Sequence, residues 1–351
     1  MKYRNLSINN AGFILALFVC MTSAFSLFGE DVEWKYRRNS IYNIMILHPE
    51  YKFGDELEAM FNNLPVPARF NDHSLGVNSI KFANSDRKDQ RGNIENFITK
   101  SGLAQKMISK WFGRNKVTGA FNIELIKDRA CYDADDTDVA IAMSQARGIA
   151  ALYDAGEELI PNTYVVFNDV MYNSRSGVGS MLKMFGNVYI GNADGIQSSM
   201  QEIAGFKVTV KSYLYRLVWT EEIANTFYES YYYEGDNTDN AKKLAYEHDK
   251  NLFRLEYVGE STSSAQNTSF VGVKDPIEAI RKICVRVIDR NLSDLQHSFP
   301  DFRIKAPLLT SQPLVADVGM KEGITEKSTF EVLQPEIDSN GKLRYNRVGV
   351  I

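Results

Sequence analysis

Cysteine and histidine are scarce in this 351-residue chain, which holds three of the first and four of the second. His48, His73, His248 and His297 stand apart, with no HExxH or CxxC spacing around them, so a locally encoded zinc site is excluded. Each isolated histidine reads as a surface or packing residue. Cys20 lies in the first apolar run, which leaves Cys131 and Cys284 for the rest of the chain. Two cysteines cannot form the framework of a disulfide-stapled domain. They read as two separate buried thiols, with a single bridge as the alternative. Also missing are a GxSxG elbow, a GxxxxGK[ST] loop and a GxGxxG turn after a strand, which removes the local signatures of serine hydrolases, P-loop enzymes and dinucleotide binders. A basic excess is lacking too. The 40 Lys+Arg stand against 44 Asp+Glu, a balance that argues against nucleic acid as a partner.

Long apolar runs are confined to the start. Lys2 and Arg4 precede an apolar stretch from Ala11 to Met21, followed by the small residues Thr22, Ser23 and Ala24. A signal peptidase needs small side chains at the −3 and −1 positions, so residues 1–29 read as an export signal cut after Ala24 or Gly29. The competing readings are a buried N-terminal helix or a membrane anchor, for which the core is short. Val19 is too bulky before Cys20 for a good lipidation site. Without the two basic residues of the leader, 38 basic residues remain against 44 acidic, and about 320 residues suit about two domains.

Periodicity divides the remainder. Ser40–Leu47 reads as a mostly buried strand, Asp55–Asn62 as a short helix, and Ser79–Phe82 as a second strand; Ser85–Gly92 is a charged, solvated loop. Asn93–Phe112 keeps one apolar face and predicts a helix that Gly102 weakens in its middle. A short helix over Asn122–Arg129 and a long one over Thr137–Ala155, ended by Gly156, follow. Thr163–Tyr172 and Phe206–Trp219 are strands, separated by a Gly-rich insertion or mobile loop at 174–205. Glu221–Tyr233 reads as a further strand, Asp236–Asn251 as helix, and Ser261–Ser269 as a polar linker. Asp275 and Pro276 open another helix. In the tail, strands over 329–333 and 343–350 flank Asn340-Gly341, a strong hairpin signal. The expected fold is α/β (α+β): a mixed sheet with flanking helices over 30–310, then a small all-β module over 311–351.

Two clusters are candidate sites. Asp133, Asp135, Asp136 and Asp138 offer carboxylates for a hard cation, although they lack the glycine and distant glutamate of an EF-hand loop. Lying before the predicted long helix, they equally suit its positive N-terminus. Tyr228, Tyr231, Tyr232 and Tyr233 offer a partner- or carbohydrate-binding surface, or else a strand packed on the core. No cofactor is expected. An enzyme would have to assemble its site from scattered residues such as His73, Asp133 and Asp135.

The segments Asn162-Thr-Tyr-Val-Val-Phe-Asn-Asp-Val and Leu214-Tyr-Arg-Leu-Val-Trp-Thr-Glu-Glu-Ile resemble paired strand motifs of the curli-secretion lipoprotein family and the related TolB amino-terminal domain. The stretch from Ala316 to Val332 is similar to the small β module that closes the flagellar T-ring assembly protein. The resemblance implies an exported, non-enzymatic bacterial envelope protein. Its role would be structural, secretory or in surface assembly, and its partners other envelope proteins or further copies of itself, with peripheral membrane contact. Two departures bear on this: the poor lipidation context of Cys20, and the lack of alternating membrane hairpins, which counts against a pore. A hydrolase and a glycan- or peptide-binding module are the alternatives.

Overall fold

Ser40–Leu47 carries apolar side chains on both faces, so it is stable only where both faces are covered. In the computed structural model it is β1, the hub of a mixed six-stranded sheet. The structure describes residues 38–49, 58–59, 61–83, 89–130, 157–172, 204–269, 276–306, 308–316, 318–320, 324–326, 328–337 and 343–351. The long helix expected over 137–155, the Asp133–Asp138 cluster, Cys131, the leader and most of the 174–205 insertion lie outside these residues.

Two short strands, β2 (Asn71–Asp72) and β3 (Ser79–Lys81), run parallel to β1 along one edge. On the other edge β4 (Thr163–Tyr172) is also parallel, with Ser40 opposite Thr163 and Ile46 opposite Asp169. Beyond it, β5 (Ala204–Leu217) and β6 (Leu255–Ser269) pair antiparallel. Alternation along the strands sends Ile41, Met45, Val166 and Leu214 to one face, against Val287, Leu292 and Leu295 of the helix Pro276–Ser298. Tyr42, Ile44, Phe167 and Tyr215 point to the other face, against the remaining helices.

Those helices are α1 (Gln90–Ser101), α2 (Leu103–Trp111), α3 (Glu124–Ala130), α4 (Glu221–Ser230) and α5 (Asn240–His248); Pro276–Ser298 is α6. Gly102 does more than weaken a helix. At φ 61° and ψ 39° it takes the left-handed conformation and divides the expected Asn93–Phe112 helix into α1 and α2. Asp89 accepts from the Gly92 amide and starts α1 earlier than apolar periodicity suggests.

Two expectations are corrected. Glu221–Tyr233 is not a strand, because α4 occupies Glu221–Ser230. Thr220 is extended and accepts from the Ile223 amide, Glu221 and Glu222 complement the helix N-terminus, and Ile223, Phe227 and Tyr231 repeat at four-residue spacing on the buried side. Caps and spacing outweigh the β propensity of the aromatic residues. Ser261–Ser269 is not a linker but the second half of β6, paired residue by residue with β5. Thr262, Ser264 and Gln266 are exposed, whereas Ser263 is buried and donates to Asp294 of α6 (3.2 Å). Small polar residues suffice there because the strand is a sheet edge and its backbone supplies the pairing.

The tail contains two two-stranded sheets: β7 (Leu308–Ser311) with β8 (Leu314–Ala316), and β9 (Glu331–Ile337) with β10 (Leu343–Val350). The first begins slightly before the expected boundary at 311.

Gly259, in the irregular stretch of β6, lies under the Phe299 ring, and a Cβ there would overlap the ring. Gly259→Ala is therefore expected to lower stability by about 1–3 kcal/mol in a urea melt, the usual range for overpacking.

Candidate functional site

Polar side chains inside a sheet covered on both faces need partners, and three such groups organise this one. The first lies at the carboxyl ends of β1 and β4. Ile46 is opposite Asp169, and His48 shares the face of Ile46 by strand alternation, so His48 and Asp169 meet. His48 Nε2 lies 2.7 Å from Asp169 Oδ1, and the two side chains are 0% and 4% exposed. The chain moves from β1 to β2 and β3 on one side and then to β4 on the other. The pair therefore sits at the switch point where open α/β sheets form their crevice. Next along this face, Lys211 is opposite Asp169 on β5 and pairs with Glu260 (2.7 Å) beside the Tyr213 ring. Burial raises the Tyr213 hydroxyl above its ordinary value and Lys211 partly offsets this. A carboxylate–imidazole pair fixes ring orientation and can hold or pass a proton, but in this state it is sealed from solvent.

The second group lies at the amino end of the sheet. His73 follows β2, is fully buried and gives its Nε2 proton to the Met107 carbonyl (3.1 Å). Its Nδ1 then accepts from Arg129 Nη1 (3.1 Å), which fixes the neutral tautomer. Arg129, from α3, also donates to the Ser40 hydroxyl (2.8 Å) and the Asp72 carbonyl (3.0 Å), and it stacks on Trp111 at 4.2 Å. Burial pushes the guanidinium down to about 10. Burial, with Arg129 and Lys110 nearby, holds His73 well below the ordinary imidazole range. Both ring nitrogens are engaged, so His73 is a clamp joining β2, α2 and α3, and it is not placed for acid–base work.

The third group crosses the sheet. Asn291 of α6 donates to the Val210 carbonyl (2.9 Å) and to the Ser212 hydroxyl (2.8 Å), and Ser212 donates to Asn168 Oδ1 (2.7 Å). This chain ties α6 to β5 and β4.

The four tyrosines do not form a flat exposed platform. Tyr231 is buried and Tyr228, Tyr232 and Tyr233 are half-buried. Phe227, Tyr228, Tyr232 and Phe112 pack edge-on at 5.2–6.1 Å, except that the Phe112 and Phe227 rings are tilted at 4.5 Å. Each hydroxyl has a partner: Tyr228 donates to Glu157 (2.7 Å), Tyr231 to Asp249 (2.6 Å), Tyr232 to Glu234 and Tyr233 to the Thr118 carbonyl. Burial and the bond to Asp249 push the Tyr231 hydroxyl up to about 12.

Cys284 is a free, buried thiol, and burial pushes it up to about 12, too high for a nucleophile. Among the described residues no cluster of three His, Cys, Asp or Glu side chains can hold a metal ion, and Asp133, Asp135, Asp136 and Asp138 lie outside them. His248 and His297 are exposed in the last turns of α5 and α6, as isolated histidines were expected to be. His48 and His73 are buried, the packing half of that expectation, and their partners are what isolation along the chain does not show. Asn168 and Asp169, polar residues inside an otherwise apolar strand, were the available signal for the first.

No protein-family model matches the chain, and no curated protein or solved structure matches it.

Removing one member of the buried pair strands the other. His48→Leu or Asp169→Leu alone is expected to cost about 3–5 kcal/mol in denaturant unfolding, and the double variant distinctly less than the sum. For His73 the folded state resists protonation while the unfolded chain protonates near pH 6.5. Its stabilising effect is thus complete above that pH and falls as pH drops, by up to about 1.4 kcal/mol per unit. His73→Gln, which keeps a donor for Met107, is expected to flatten the stability profile between pH 6.5 and 5.

Proposed function

We propose that this chain is an exported, non-enzymatic component of the bacterial envelope, structural, secretory or surface-assembling, whose C-terminal β module makes the assembly contact. One observation carries the reading. Of the twelve large apolar side chains that are exposed among the described residues, nine fall between Leu308 and Ile351, including Leu309 at 60%, Met320 at 91% and Val348 at 58%. Concentrated exposed apolar surface marks a contact with another macromolecule. Two-stranded sheets are marginal alone in water, so a partner that covers them also stabilises them. The leader-like start and the resemblance to curli-secretion, TolB and T-ring modules support the envelope as the place and other envelope proteins or further copies as the partners. No helix among the described residues is long and apolar enough to cross a membrane.

Fractionation with mass measurement of the N-terminus tests the location. A product starting after Ala24 or Gly29 in the envelope fraction is expected; the intact chain in the cytosol would sink the export reading. Sedimentation tests the contact. Met320→Asp combined with Val348→Asp is expected to release the protein from large envelope complexes with its circular dichroism unchanged, whereas unaltered sedimentation would remove the tail from the assembly role.

A further inference from the structure

A cleft of about 380 Å³ opens where Gly102 separates α1 from α2, opposite the turn that links α5 to β6. That volume is at the lower end of what small-molecule sites occupy. Its floor is apolar, made by Ile98, Ala104, Phe253 and Leu255. Its rim is polar and its charges are unevenly spent. The Asp249 carboxylate accepts from the amides of Asn251 (2.7 Å) and Leu252 (3.1 Å) and from the Tyr231 hydroxyl. Burial would raise that carboxyl, but these three donors, with the Lys250 charge nearby, outweigh it and hold it below the ordinary range. Glu95 is paired with Arg91 at 2.8 Å. Lys250 gives one proton to the Glu247 carbonyl (3.0 Å), which leaves two of its three donors. Arg254 is exposed, lines the same cleft and has no ion-pair or hydrogen-bond partner for its guanidinium among the described residues.

Both acids on the rim are thus answered within the protein, while the Arg254 guanidinium is not and Lys250, whose charge also faces Asp249, keeps two hydrogen-bond donors. We propose that this cleft binds a small carboxylate with an apolar body: the carboxylate on Arg254 with Lys250 beside it, the body on Ile98, Ala104, Phe253 and Leu255. Guanidinium forks match carboxylates in two parallel bonds, so Arg254 sets both affinity and orientation. A free organic acid and the C-terminus of a peptide present the same chemistry. The site is separate from the tail contact, and its test does not depend on where the protein works.

The test is a titration of the mature chain followed by amide chemical shifts, with N-acetyl-leucine, its neutral amide, and an acetylated tetraglycyl-leucine acid as probes. N-acetyl-leucine is expected to shift Thr99, Gly102 and Asn251 saturably at millimolar concentration, with the neutral amide at least about tenfold weaker. Arg254→Gln, at an exposed position, is expected to weaken the acid by about tenfold with an unchanged melting temperature, and Thr99→Trp, which fills the mouth, to abolish binding. Equal binding of acid and amide, undiminished binding by Arg254→Gln, or no saturable shift from any probe would each overturn the proposal. Peptide binding as tight as that of N-acetyl-leucine assigns the site to chain termini; binding of N-acetyl-leucine alone assigns it to free acids.

Discussion

The burial of β1 on both faces is the constraint from which the architecture follows. A strand with Ile41, Met45 and Leu47 on one side and Tyr42, Ile44 and Ile46 on the other needs a layer of helices over each face. The helix α6 covers one, and α1 to α5 cover the other. Within such a sandwich a polar side chain is costly unless it is bonded, and Ser40, Asn168, Asp169 and Ser212 are bonded in pairs and chains.

Those bonded groups also divide the molecule. The His73–Arg129–Trp111 cluster holds the amino end of the sheet to α2 and α3, and the Asn168–Ser212–Asn291 chain holds the middle to α6. The His48–Asp169 pair closes the carboxyl end, where this topology would otherwise leave a crevice. Residue types that a catalytic centre also uses lie here buried between two strand ends. Among the described residues an accessible polar cleft lies instead at the junction of α1 and α2, where a left-handed glycine stands beside an uncommitted guanidinium. Most of the large apolar side chains exposed among the described residues lie in the tail.

The comparison of sequence with structure turns on where information is local. Thr163–Tyr172 and Ser40–Leu47 were legible to the residue because long apolar, β-branched runs permit little else. The helix at Pro276 was legible from its start signal. The error at Glu221–Tyr233 came from weighing tyrosine as a strand former, when Thr220 and the Ile223–Phe227 spacing already encoded a capped helix. The error at Ser261–Ser269 had no such remedy. An edge strand of serines and threonines takes its pairing from β5, and nothing in its own composition favours a strand over a loop.

By itself the sequence determined the central strands, the amphipathic helices, the apolar leader pattern and the hairpin of the tail, since each rests on residues close together along the chain. Only the tertiary structure decided that His48 meets Asp169 across 121 residues, that Arg129 completes His73, and that the rim acids of the cleft are answered while Arg254 is not. The physical reason is the same in each case. Strand order and register set which polar groups lie within about 3 Å of one another, and a hydrogen bond at that range decides whether a titratable side chain is a clamp or a site.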